Sequence, residues 1–169
     1  MFKLTDASTI IDTALSEARV RSLAPLAVAV LDAGGHLVAY KREDGAGIVR
    51  FDIAHGKAWG SLGMGFGTRE LTERAAKNPA FFTVLASVSA GRMVPSPGGV
   101  LVLDDAGAVI GAVGISGDLG DNDEICAIAG ILNQIQQMRR LLPGVGNLNI
   151  IRVWSGICSV WPKDVGAWR

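Results

Sequence analysis

The chain has 169 residues, with 16 basic side chains against 16 acidic ones and a formal net charge of zero. That length suits one domain whose core is large enough to need no disulfide or metal staple. A hydrophobic fraction of 49% with 19% charged residues excludes a mainly disordered chain, and balanced charge without a Lys/Arg cluster excludes binding to nucleic acid through many phosphates.

The opening segment carries Asp12 and Glu17 and has no unbroken apolar stretch, so it does not read as an export signal. No run reaches the ~18 apolar residues of a membrane span. Cys126 and Cys158 lack CxxC spacing and a neighbouring histidine cluster, which fits reduced thiols. The expectation is a soluble, cytoplasmic protein with no membrane partner.

The first element reads as a helix. Ala7, Ile10, Ile11, Ala14, Leu15 and Ala18 form one apolar stripe, with Thr5 or Asp6 as a cap. After Pro25 comes a hairpin: an apolar run Leu26–Leu31, turn residues Asp32-Ala33-Gly34-Gly35, and a return over His36–Lys41. The first strand is apolar at nearly every position, as expected for a strand covered on both faces. Phe51–Met64 starts as a helix, which Gly60, Gly63, Gly65 and Gly67 are expected to loosen or end. Thr68–Ala76 reads as a short polar helix. Asn78-Pro79 restarts the chain into Ala80–Ser87, and Ser89–Gly99 is a Pro/Gly-rich loop.

Val100–Gly117 repeats the layout of the first hairpin, with VLDDAGAVIGA lying over VLDAGGHLVAY. A last helix follows. Asp121 and Glu124 resemble a capping box, Ile125, Ile128, Ala129, Leu132 and Ile135 form the stripe, and Arg139 and Arg140 suit its C-terminal end. Pro143-Gly144 stops it. The remainder holds Trp154, Trp161, Trp168 and a β-like run at Asn149–Trp154. Strand pairs separated by helices give an α+β fold. If helices cover only one face of the sheet, the other needs a neighbouring subunit, so a homo-oligomer is expected.

No standard catalytic motif is present, and the glycine series does not follow a strand as a dinucleotide fingerprint requires. His36 beside the hairpin turn reads as an exposed strand residue. His55, three residues after Asp52, reads either as a capping or surface residue or as a heme axial ligand. Lys57, in an apolar helical stretch, either snorkels to water or points into a pocket to hold a carboxylate. Arg92 in the Pro-rich loop has the same two readings. Gly98-Gly99 is either a turn or a close backbone approach to an anion. Asp118, Asp121, Asp123 and Glu124 either match the helix dipole or form a ligand or weak metal site; the EF-hand pattern is not met and no metal is assigned.

Four blocks in order, VAVLDAGGHLVAYKREDGA, DIAHGKAW, PSPGGVLVLDDAGAVIGAVGISG and the acidic start of DNDEICAIAG, resemble the GlcG/HbpS-like haem-degrading family. The resemblance covers about residues 5–140, so residues 1–141 read as the family domain. Residues 142–169 read as an extension packing on the domain or on a neighbouring subunit. It implies a profilin-like domain, a central antiparallel sheet flanked by helices, often assembled as an octamer. It also implies heme binding and, in some members, heme degradation. The block that carries over as pocket lining is Lys57, the loop leading to Gly98 and Gly99, and the acidic pair Asp123 and Glu124.

Two function classes stand beside each other, with a structural or assembly role through the Trp-bearing tail as a third. One is an oligomeric binding protein for heme, another tetrapyrrole or a carboxylate-bearing small molecule. In it Lys57 and Arg92 pair with carboxylates and the Gly98-Gly99 backbone donates. The other is a small hydrolase, isomerase or lyase acting on an aromatic-degradation or hydroxy-acid metabolite, with Asp123, Glu124 or His55 as acid/base.

Overall fold

A computed structural model of the chain describes residues 2–141. The expectations for the tail (the Asn149–Trp154 strand, the packing of 142–169, the stop at Pro143-Gly144 and the state of Cys158) lie outside the described residues.

The described elements are α1 (Leu4–Val20), β1 (Ala27–Asp32), β2 (Leu37–Arg42), α2 (Arg50–Met64), α3 (Thr68–Lys77), α4 (Pro79–Val88), β3 (Gly99–Leu103), β4 (Val109–Ser116) and α5 (Gly120–Leu141). The strands form one antiparallel sheet in the order β2-β1-β4-β3. This is the α+β architecture expected. The α1 stripe forms as read, but its cap differs: the Lys3 N–H donates to Asp6 Oδ2 at 3.1 Å, which ties down the first turn.

The repeated hairpins match atom for atom. In each, the aspartate that opens the turn accepts from two backbone N–H groups with one oxygen. Asp32 Oδ1 takes Gly34 and His36; Asp104 Oδ1 takes Ala106 and Ala108. Each turn closes on a glycine at positive φ, Gly35 at 80° and Gly107 at 81°. Both hairpins carry a register shift at the same place, Val30/Leu31 and Val102/Leu103.

The alternation inside β1 decides what packs where. Val28 and Val30, with Val100, Val102, Val113 and Ile115, face α1 and α5 and form the main core with Ile10, Ile11, Ala127, Ile128 and Ile131. The opposite face is built from small residues. Ala29 pairs with Gly114, and a Cβ at Gly114 would collide with the carbonyl oxygen of Ala54 on α2. The helix therefore sits with its backbone against the sheet. Two expectations are corrected here. The second face of the central strands is covered by α2, so it needs no neighbouring subunit there. Of the four glycines expected to loosen or end α2, Gly65 ends it after Met64, as read, in the left-handed conformation with φ 77°, whereas Gly60 and Gly63 lie within the helix. Gly56 and Gly60 instead let the loop before β3 lie on α2. A Cβ at Gly56 would meet the Arg92 carbonyl oxygen at 2.6 Å, and one at Gly60 would meet Met93 Cγ at 3.0 Å. No described helix is long and apolar enough to cross a membrane.

Candidate functional site

Lys57 neither snorkels nor faces an open pocket. Its ammonium donates to Asp123 Oδ2 and to the Ile115 carbonyl, both at 2.8 Å. The two side chains are 3% and 1% exposed. Burial pushes the Lys57 ammonium below its ordinary range and the Asp123 carboxyl above its own, and their mutual attraction opposes both shifts. Asp123 Oδ1 also accepts from the Asp118 N–H at 3.2 Å. The pair bolts α2 to the start of α5 through the end of β4. A ligand carboxylate reaching Lys57 would have to displace Asp123.

Gly98 and Gly99 close this hub. Gly98 has φ 118°, and a Cβ there would stand 2.8 Å from Asp123 Cβ and 3.0 Å from Lys57 Nζ. Gly99 lies against the Lys57 carbonyl, and its N–H donates to Thr68 Oγ1 at 2.7 Å. That donor is therefore already used rather than offered to an anion. Glu124 points the other way. Arg69 Nε donates to Glu124 Oε2 at 2.6 Å, and Arg69 Nη2 to Asp121 Oδ1 at 2.5 Å. Burial raises the Glu124 carboxyl, with Arg69 opposing; burial also works against Arg69, but its two carboxylate partners outweigh this and raise it. The Asp121–Glu124 capping box is thus corrected: both side chains hold a cation from α3. Asp118 does the terminal work, accepting from Leu119 N–H and Asn122 Nδ2 and from the distant Ala24 N–H at 2.8 Å.

Arg69 and Thr68 were not legible as site residues, since TRELTERAA reads as a solvated helix. The one available signal was the unbalanced acidic run at the start of α5, which required a cation from elsewhere. No group of three metal-ligating side chains occurs among the described residues.

The partly exposed chemistry lies on another side of α2. Phe51, His55 and Trp59 recur every four residues and so share one helix face. All three are half-buried. Tyr40 of β2 meets Phe51 edge-on at 4.8 Å, and Phe51 leans on His55 at 5.7 Å. At the far end the exposed guanidinium of Arg92 stacks on Trp59 at 4.3 Å, while its Nε donates to the Ser89 carbonyl. His36 stays on the surface beside Asp32, as read. The candidate residues thus divide into two groups. Lys57, Gly98, Gly99, Asp123 and Glu124 converge in a buried hub; His55 and Arg92 flank Trp59 on an accessible aromatic strip.

The chain that folds into this sheet, clamped between α1/α5 and α2, matches the model of the haem degrading protein HbpS-like family over residues 2–132. The chain belongs to that family. It is 32% identical over 103 residues, 61% of this chain and 71% of the relative, to an uncharacterized 15.0 kDa protein in the dhaT-dhaS intergenic region of Citrobacter freundii. Among solved structures it is similar to PduOC in complex with heme, at 28% identity and a TM-score of 0.71, covering 78% of this chain and 93% of that one. It is also similar to the Klebsiella pneumoniae protein ORFY, at 25% identity and a TM-score of 0.73, covering 79% and 90%.

Proposed function

We propose that this protein is a cytoplasmic, homo-oligomeric binding protein, octameric as the family resemblance implies, for heme or another flat, carboxylate-bearing tetrapyrrole. The observation that carries the reading is the α2 strip: an imidazole between two aromatic side chains, ending in a surface guanidinium. Membership of the HbpS-like family and similarity to a heme-bound structure support it.

The strip fits such a group chemically. Phe51 and Trp59 are eight residues apart on α2, about 12 Å along the axis, which matches the span of a large planar ligand. His55 would offer an imidazole nitrogen to the iron, and Arg92 would pair with a carboxylate of the group. When bound, heme supplies redox-active iron; the protein's contribution is the ligand, the apolar walls and the counter-charge. The hub of Lys57, Asp123, Gly98, Gly99 and Glu124 holds α2 in place beneath the strip.

The test is a hemin titration of the full chain, followed in the Soret band. Saturable binding with a shifted Soret maximum is expected, lost in His55→Ala and weakened in Arg92→Gln. No shift in the parent, or an unchanged spectrum in His55→Ala, would remove the heme reading. Native mass spectrometry of protein from its own host reads the subunit number and any retained molecule.

A further inference from the structure

Helix α4, PAFFTVLASV, contains no charged residue, and none of its residues is buried. Phe81 is 48% exposed, Val84 61% and Val88 75%. An apolar helix left this open is a sign of an occupant. At its N-terminal end a cleft of about 260 Å³ lies between α4, the last turn of α3 and the end of α2. It is lined by Met64, Arg74, Lys77, Asn78, Phe81 and Phe82.

The walls and the rim differ in chemistry. Phe81 and Phe82 meet edge-on at 5.6 Å, giving ring faces and edges for an apolar guest. The rim is cationic. Arg74 is engaged by Glu70 and lies over the Phe66 ring at 4.3 Å. Lys77 takes part in none of the ion pairs among the described residues. Asn78 accepts from the Phe81 N–H at 3.3 Å; it closes α3 and opens α4, so the opposed ends of the two helix dipoles meet there and the cation of this edge is Lys77. The volume falls below the ~300–1,000 Å³ of sites for drug-sized ligands, which suits a single ring and not a tetrapyrrole.

We propose that this cleft binds a small monocarboxylate with an aromatic or short alkyl body. The body lies against Phe81, Phe82 and Met64, and the carboxylate meets the Lys77 ammonium. The site is separate from the α2 strip, so the heme reading and this one stand or fall independently.

The experiment is a titration of full-length protein carrying ¹³C-methyl methionine, observed by NMR. The probes are sodium benzoate and its neutral analogue benzyl alcohol, with the Met64 signal assigned from Met64→Leu. Benzoate should shift the Met64 methyl saturably, with a dissociation constant of ~0.1–10 mM, and benzyl alcohol should bind about three- to fivefold more weakly. Lys77→Gln, an exposed change, should bring benzoate to the level of the alcohol while leaving the Met93 and Met138 signals in place. Equal binding of the two probes, indifference to Lys77→Gln, or no shift at all would overturn the proposal. So would a Met64 signal that depends on protein concentration without a probe, because a second copy would then cover the face. A hemin titration repeated in saturating benzoate reads the α2 strip separately.

Discussion

Replacing Lys57 by methionine keeps the stem in its slot and removes only the ammonium. Asp123, 1% exposed, then keeps a single N–H donor, that of Asp118 at 3.2 Å. Removing one partner of a buried ion pair costs ~3–5 kcal/mol, a large share of the ~5–15 kcal/mol that holds a domain folded. With a urea slope of ~2 kcal/mol/M, the unfolding midpoint falls by about 2 M. The pH dependence has a definite sign. Burial already raises the Asp123 carboxyl, and loss of Lys57 removes the charge that opposes it. An acid whose pKa is raised on folding adds stability that is present at low pH and lost as pH rises through the folded value. The deficit of Lys57→Met therefore widens as the pH is raised and narrows toward acid. Urea melts at a fixed protein concentration, at several pH values, measure this. A variant within ~1 kcal/mol of the parent at neutral pH, or a deficit that narrows as pH rises, would refute the view of the pair as a buried structural bolt. Adding Asp123→Leu to the Lys57→Met variant should restore much of the loss, since the stranded carboxylate is the main cost.

Gly114→Ala puts a methyl group into the Ala54 carbonyl and should cost about 3 kcal/mol, read as a lower thermal midpoint. Burial pushes the Cys126 thiol up to about 12, so iodoacetamide at mildly alkaline pH should leave it unmodified until the chain is unfolded; peptide mapping checks this. Hydrogen bonds from Asn122, Ala24 and Leu119 hold the Asp118 carboxyl below its usual 3.8. Its contribution is therefore present above that value and lost as pH falls through the lowered one. Asp118→Ala should be less stable than the parent near neutrality, and the two should converge in strong acid, as followed by circular dichroism.

What the sequence made legible was local. The Asp-Gly turns of both hairpins involve contacts no more than four residues apart, and both were placed correctly, down to the repeat. The core stripe of α1 and the covering of β1 on both faces were equally readable. What covers the second face was not. Gly60 reads as a helix breaker until Met93 is seen lying on it, and that is a tertiary contact. Lys57 had two readings, and neither included Asp123, 66 residues away. Arg69 is hidden for the same reason, standing 52 residues from Asp121. The strip on α2 is the opposite case. The i, i+4, i+8 spacing of Phe51, His55 and Trp59 is visible in the sequence, and what it leaves out is Arg92, brought to Trp59 from a loop 33 residues further along the chain.

The missing side-chain carbons of α2's surroundings have a dynamic consequence. One side of the helix touches strand backbone at Gly114, and another carries the 92–94 segment on Gly56 and Gly60, with the Val94 N–H donating to the Gly56 carbonyl. A helix gripped between main chains can neither roll nor slide without breaking both contacts. Its amides should be among the slowest in the molecule to exchange with deuterium. An aromatic guest settling on Phe51, His55 and Trp59 would meet a surface already immobilised. Little order would remain to be imposed at binding, and affinity there would rest on the fit of the guest to a fixed ridge.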